Sequence, residues 1–125
     1  MISAHRELRR RLGVAAERMA AAYLSLEGWE VTERNVRIAG GEIDLIARRG
    51  EWLLLIEVRF RRSARHGTAV ETVCGPKARA LGRAGRAYVA CRRGGAECWR
   101  FDIITVSLGS DGEAWVRSFP GAVPL

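Results

Sequence analysis

Hydrophobic residues along the chain follow two spacings, one typical of helices and one typical of strands. Apolar positions recur every three or four residues over 5–27, which predicts an amphipathic helix that ends at Gly28. Pro76 is suited to the first position of a second helix that continues to about Arg92. Strands are predicted over residues 29–37, 40–46, 53–61, 98–108 and 114–119. This order predicts a single α/β domain over 1–125, with a mixed sheet flanked by helices.

The second predicted strand carries acidic residues among apolar ones. Successive side chains of a strand point to opposite sides. Glu42 and Asp44 are therefore expected on one face, with Ile43, Leu45 and Ala47 on the other.

The third predicted strand has one uniformly apolar face, and Glu57 lies on its other face. A hairpin that keeps the apolar faces of both strands together, with a turn at 49–50, places Asp44 opposite Leu55 and Glu42 opposite Glu57. Like charges that face each other across a ladder are destabilising. A divalent cation is the simplest compensation.

The charge balance favours a polyanionic partner. The net charge is +7, and such basic domains often bind nucleic acid. The weight of this signal is reduced because Lys77 is the only lysine among 21 cationic residues, as genomic base composition alone would also produce. No apolar run approaches the ~18 residues of a membrane span, and the three cysteines lack the spacing of a zinc site or disulfide framework. A cytoplasmic protein without membrane contact is expected.

Glu17 and Lys77 are two further candidates. The helix neighbours of Glu17 are small or apolar, so Glu17 is either a metal or water ligand near the strand acids or an ordinary solvated side chain. Lys77 extends the apolar stripe of the second helix at its N-terminal end. Its ammonium either reaches water or points at an anionic group.

Arginine-rich segments supply the candidate contacts to nucleic acid. Arg61, Arg62 and Arg65 lie in a basic loop that directly follows the acidic third strand, and they are the favoured phosphate-binding residues. A stripe on the second helix is either a solvated face or a second track for phosphates; its members are Arg79, Arg83, Arg86 and Arg93.

Asp44 followed by Glu57-Val58-Arg59 resembles the PD-(D/E)xK motif of restriction-endonuclease-like nucleases. The wider pattern resembles the YraN family of uncharacterised bacterial proteins, which is similar to Holliday-junction resolvases. The matching segments span 13–102 and are Gly13, Glu17, Ala20, Tyr23-Leu24, Gly28-Trp29, Arg34-Asn35, Gly41–Ala47, Glu57-Val58, Arg61, Gly67, Val73, Lys77, Ala87-Tyr88 and Arg100–Asp102.

The resemblance implies a core of helix, three-strand meander, helix and further strands. It also implies that Asp44 and Glu57 bind Mg²⁺ or Mn²⁺ with the Val58 carbonyl as a further ligand, and that Glu17 is the acidic residue of the first helix. Arg59 stands where the motif has lysine, so it can clamp a phosphate but cannot act as a general base. Lys77, at the tip of the following helix, is the candidate catalytic residue that would supply the ammonium that Arg59 cannot.

Three functions are compatible with these features. The first is a metal-dependent nuclease acting on branched or structured nucleic acid, with DNA favoured over RNA. The second is a nucleic-acid-binding module whose catalytic site is degenerate, and the third is a protein-interaction subunit with a vestigial acidic pocket. A homodimer is compatible with the sequence, which leaves the oligomeric state open.

Overall fold

Helices and strands follow one another in the order that the hydrophobic pattern predicts. The computed structural model describes residues 2–61, 75–92, 96, 98–109 and 111–125. Its elements are α1 (Ile2–Leu26), β1 (Glu30–Ile38), β2 (Gly41–Arg49), β3 (Trp52–Arg61), α2 (Gly75–Arg92), β4 (Cys98–Leu108) and β5 (Ala114–Val123). Within these described residues, no helix combines the length and apolar character that a membrane span requires.

The strands form a five-stranded mixed sheet in the order β1-β2-β3-β4-β5. β3 and β4 are parallel, and the other neighbouring pairs are antiparallel. α1 and α2 cover opposite faces of the sheet, so the predicted mixed-sheet α/β fold is confirmed. The α1-side cluster comprises Ala20, Ala21, Leu24, Trp29, Leu45, Ala47, Leu54, Ile56 and Ile104. The α2-side cluster comprises Ile43, Ile46, Leu53, Leu55, Leu81, Ala84, Tyr88, Val89, Ala96, Phe101, Ile103 and Val123.

The C-terminal end of α1 is fixed by local hydrogen bonds, as the glycine predicted. Gly28 has a φ of +90°, and the Trp29 N–H donates to the Leu24 carbonyl over 2.9 Å. This is the pattern of a Schellman motif, which satisfies carbonyls that the helix leaves without partners. Trp29 and Leu24 are both buried. The end of the helix is therefore fixed against the core, and Glu17 lies about two and a half turns before it.

The register of the β2–β3 hairpin differs from the prediction by two residues. The turn consists of residues 50–51, and Gly50 occupies its first position with a φ of +58°. Two-residue hairpin turns with glycine first match the twist of the flanking strands. The ladder runs to the pair of Leu45 with Ile56, so Asp44 and Glu57 come next on their strands.

Two expected pairings are therefore wrong. Leu55 pairs with Ile46, not with Asp44, and the register does not place Glu42 across from Glu57. The observed register places Asp44 next to Glu57 across the two strands.

The alternation of side chains along β2 is broken at Asp44. Leu45 and Ala47 lie in the α1-side cluster, whereas Ile43 lies in the α2-side cluster together with Ile46. The expectation that Ile43, Leu45 and Ala47 share one face is thus wrong for Ile43. Backbone pairing with β3 ends at the same place, so the ladder does not extend to Asp44 and Glu57.

Candidate functional site

Asp44 and Glu57 meet where the ladder between β2 and β3 ends. The Glu57 side chain is buried, and Asp44 is half-buried. Asp44 Oδ2 accepts a hydrogen bond from the Val58 N–H over 2.7 Å. A carboxylate oxygen has thus replaced the strand backbone as the partner of this amide, which fixes one side of the Asp44 carboxyl group.

The proximity of the two acids changes the pKa of Asp44. Burial raises this pKa to about 8, and the hydrogen bond and charge of Glu57 add to the increase. The Val58 N–H and the Lys77 charge act in the opposite direction. The site in its metal-free form therefore retains a proton at neutral pH, because two adjacent carboxylates in a desolvated place resist ionising together.

Two cations reach the same oxygen of Glu57. Lys77 Nζ lies 3.5 Å from Glu57 Oε2, and Arg59 Nη2 lies 3.8 Å from it. Both distances are longer than those of charged hydrogen bonds. Within the described part of the chain, Glu57 Oε2 is buried without a hydrogen-bond partner, and so are Arg59 Nε and Nη2.

Asp102 shows how the same fold treats a buried acid that has a structural role. It is 1% exposed, and its Oδ1 accepts hydrogen bonds from Arg100 Nε and the Gly121 N–H over 2.9 and 2.8 Å. The Gly121 contact accompanies the extension of β5 beyond the predicted 114–119. Asp102 is therefore satisfied by the protein, whereas Glu57 Oε2 is not.

Glu17 lies close to Asp44, and Asn35 and Glu42 lie beside Glu17. Burial raises the pKa of Glu17, and the charges of Asp44 and Glu42 raise it further. The Asn35 amide bridges Glu17 and Glu42. The hydrophobic pattern did not predict a contact of Asn35 with either acid. The available signal was an asparagine inside a strand pattern, where residues with a special backbone conformation occur.

A groove on the surface leads to Lys77. Its volume is about 590 Å³, and it lies between the β1–β2 turn and the start of α2. Arg37, Glu42 and Lys77 supply its charged lining. A second groove of about 490 Å³ lies beside the end of β3, between Phe60 and the residues His5 and Arg9 of α1.

The predicted phosphate-binding residues are only partly described. Arg61 is half-buried at the end of β3, and Arg62 and Arg65 lie outside the described residues. Of the arginine stripe on α2, Arg79, Arg83 and Arg86 are exposed, and Arg93 lies outside the described residues. Arg83 Nε donates to the Ala39 carbonyl over 3.1 Å, so it fastens the β1–β2 turn to α2.

The acids do not form a complete set of metal ligands by themselves. Among the described residues, no group of three His, Cys, Asp or Glu side chains is arranged to hold a metal ion. Any bound ion must therefore be completed by a backbone carbonyl, by water or by substrate oxygens, as is usual for Mg²⁺.

The raised pKa of Asp44 predicts that the metal-free protein loses stability as pH rises. Between the ordinary pKa of 3.8 and about 8, the folded state holds a proton that the unfolded state has released. The free energy of unfolding should therefore fall through this window by at most about 1.4 kcal/mol per pH unit. Urea unfolding in EDTA at several pH values measures the slope. Asp44→Asn should flatten it, and equal slopes for both proteins would contradict the shift.

Comparison of the sequence with known proteins identifies related proteins over most of the chain. Residues 16–106 match the family described as "Uncharacterised protein family UPF0102". A UPF0102 protein of Symbiobacterium thermophilum is 41% identical over 113 residues, covering 90% of this chain and 96% of that protein. A UPF0102 protein of Syntrophotalea carbinolica is 41% identical over 111 residues, covering 89% of each chain. A third, from Chromohalobacter salexigens, is 46% identical over 99 residues, covering 78% of this chain and 79% of its own. The family resemblance seen in the motifs is thereby confirmed, and the chain belongs to the UPF0102 (YraN) family.

Proposed function

We propose that this protein is a metal-dependent phosphodiesterase that cleaves nucleic acid, with Asp44 and Glu57 as ligands of Mg²⁺ or Mn²⁺. The observation that carries the proposal is the buried oxygen Oε2 of Glu57, which has no hydrogen-bond partner among the described residues. Buried polar atoms are normally satisfied, and an exception calls for an explanation such as an ion. The contrast with the satisfied Asp102 in the same sheet supports this explanation.

The donor atoms suit a hard divalent cation. Asp44 uses Oδ2 to accept the Val58 N–H, and a metal ion would replace the proton that its carboxyl group shares with Glu57. The N–H and C=O groups of one strand residue point to the same side. The Val58 carbonyl is therefore expected to face Asp44 as well, and it would supply a third oxygen. Oxygen-only sets of this kind favour Mg²⁺ or Mn²⁺ over zinc or copper.

Hydrolysis of a phosphodiester joins a water oxygen to phosphorus and breaks one P–O ester bond. The bound metal would lower the pKa of the water and offset the charge of the phosphate. The chain must then stabilise the leaving oxygen, which gains a proton. Lys77 is suited to this role, because its ammonium contacts Glu57 while its side chain is about half exposed to the groove. Arg59 retains its proton at any working pH and would contribute charge alone.

The substrate is proposed to be DNA rather than RNA, with its backbone in the groove that Arg37 and Lys77 line. Lys77 lines this groove and also contacts Glu57, so a phosphate held in the groove would lie near the proposed metal ligands. The preference for DNA and for branched forms comes from the likeness to resolvases. Incubation of linear, flapped and four-way DNA and of RNA with Mn²⁺ or Mg²⁺ tests it. Absence of cleavage on every substrate would overturn the proposed activity.

A nucleic-acid-binding module without activity is the second candidate, and Arg59 in the position of the motif lysine favours it. Such a module would bind the same substrates without cleaving them. Cleavage that requires a divalent ion and is lost in Asp44→Ala would exclude this alternative. A protein-interaction subunit, the third function considered, predicts no binding of nucleic acid even at low ionic strength.

Binding to duplex DNA is expected to weaken steeply with salt. Each phosphate that a cation neutralises contributes a slope of about −0.9 to the logarithm of affinity against the logarithm of salt concentration. Arg37→Glu should weaken binding and make the slope shallower by about one such contact. Arg117→Glu on β5 introduces the same charge change outside the groove and serves as the control. Fluorescence anisotropy with labelled duplex measures both effects, and identical slopes for the two variants would exclude the groove.

Charge reversal in the basic loop gives a further comparison within the same binding assay. Arg62 and Arg65 remain predicted phosphate contacts, since they lie outside the described residues. Charge reversal at both positions should also make the salt slope shallower. If these variants alone change the slope, the loop rather than the groove carries the backbone contacts.

A further inference from the structure

Asn35 adopts an uncommon backbone conformation within β1. Its φ is +52°, and Ala39 is the only other non-glycine residue with a positive φ in the described part of the chain. Asparagine is enriched in this left-handed region compared with most residues, because its short polar side chain forms local hydrogen bonds. The conformation directs the side chain of Asn35 out of the regular strand pattern and towards acidic residues of two other elements.

The amide of Asn35 lies between two carboxylates. With its nitrogen assigned to the side that faces acceptors, the amide nitrogen lies 3.0 Å from Glu17 Oε1 and 3.2 Å from Glu42 Oε1. An amide NH₂ group has two donors, so each carboxylate can receive one hydrogen bond. Glu17 belongs to α1 and Glu42 to β2. A neutral group thus connects two like charges that would otherwise separate by rotation of their flexible side chains.

We infer that Asn35 is a positioning residue, whose amide fastens Glu17 to the sheet so that the helix carboxylate faces Asp44. This inference rests on the proposed function, because it assigns to Glu17 a role next to the metal ligands. Residues that hold the groups around a metal by hydrogen bonds typically change metal affinity or activity by about 10–100-fold when they are replaced. Asn35 has the geometry of such a residue for both Glu17 and Glu42.

Asn35→Gly tests the side-chain amide without changing the backbone conformation. Glycine adopts a positive φ without strain, so this substitution removes the two hydrogen bonds while it preserves the left-handed conformation. We expect the Mn²⁺ dissociation constant to rise by about 10-fold or more. Isothermal titration calorimetry of the full chain with Mn²⁺ alone measures it. Ala39→Gly introduces glycine at the other left-handed position, whose side chain makes no hydrogen bond to a carboxylate, and should leave the Mn²⁺ affinity within about 2-fold of the wild type.

A double-mutant cycle shows whether Asn35 acts through Glu17. If it does, Asn35→Gly in a Glu17→Ala background should change the Mn²⁺ affinity by less than about 2-fold, because the group that Asn35 positions is already absent. Equal effects of Asn35→Gly in both backgrounds would show that Asn35 supports the fold or Glu42 instead, and would overturn the inference.

The remaining outcomes distinguish this inference from the proposed function. Mn²⁺ binding by the wild type that is unchanged in Asn35→Gly would overturn the positioning role alone. A wild-type protein that binds no Mn²⁺ would overturn the proposed metal site and the positioning role together. The metal site and the positioning role are both supported if Asn35→Gly weakens Mn²⁺ binding and Ala39→Gly does not. The effect of Asn35→Gly must also disappear in the Glu17→Ala background.

Discussion

Glu57→Gln is expected to weaken Mn²⁺ binding by at least about 100-fold and to remove cleavage, since a ligand should contribute more than the residues that merely orient it. The same substitution should leave the metal-free protein as stable as the wild type or more stable. Glu57 Oε2 accepts no hydrogen bond among the described residues, and loss of its charge relieves the repulsion with Asp44, which offsets the loss of the long ion pairs with Lys77 and Arg59. The same charge helps to raise the pKa of Asp44. Calorimetry and thermal unfolding in EDTA measure the two quantities separately.

Asp102→Asn provides the matched control for Glu57→Gln. Both residues are buried acids of neighbouring parallel strands, but Asp102 is bound by Arg100 and the Gly121 N–H. Asp102→Asn should cost about 1–3 kcal/mol of stability and leave Mn²⁺ affinity unchanged. The two variants are thus expected to change stability and Mn²⁺ affinity in opposite ways. A Glu57→Gln protein that loses stability and keeps Mn²⁺ affinity would show that Glu57 is a structural residue.

The order of elements was predictable because each is specified locally. The helix that ends at Gly28 and the helix that begins near Pro76 follow from capping and from apolar spacing. The two acids of the site were also predictable, because a carboxylate on a buried strand is rare enough to stand out. Their approach to each other depended only on pairing the two strands as a hairpin.

The register of that hairpin could not be derived from the hydrophobic pattern. A shift by one residue would move every side chain to the other face, and the pattern excludes it. A shift by two residues preserves the faces, so turns at 49–50 and 50–51 satisfy the pattern equally well. The position of Gly50 in the turn decides between them. The register is therefore set by the conformation that the turn requires of its first residue, and not by the hydrophobic pattern.

Asn35 and the break in β2 depend on contacts between distant parts of the chain. Ile43 belongs to the α2-side cluster although Leu45 belongs to the α1-side cluster. No feature of the local sequence predicts this change of face. The same holds for the amide of Asn35, whose partners are separated from it by an intervening turn or helix end. Sequence periodicity describes regular strands, and here the irregular positions surround the candidate chemistry.

Lys77→Ala is expected to reduce cleavage by at least about 100-fold and to change Mn²⁺ affinity by only a few-fold. Proton transfer by a positioned side chain typically contributes about 10²–10⁴-fold to a rate, and this range sets the expected loss. The tip of α2 brings Lys77 Nζ to 3.5 Å from Glu57 Oε2, so the ammonium points at an anionic group, which is one of the two orientations expected for it. The lysine contacts a proposed metal ligand but contributes no ligand atom, so its loss should affect the reaction and not the metal.

Arg59→Lys tests whether an ammonium from either position suffices. Arg59 Nη2 lies 3.8 Å from the same oxygen of Glu57, so a shorter lysine at residue 59 restores the usual motif beside that oxygen. It should raise the activity of the wild type or restore cleavage to the Lys77→Ala protein. Single-turnover cleavage of a preferred DNA substrate at saturating Mn²⁺ measures these rates. Unchanged cleavage in Lys77→Ala would contradict the role of Lys77. Inactivity of every variant, including Arg59→Lys, would instead identify a binding module, because no lysine would then complete the chemistry of Asp44 and Glu57.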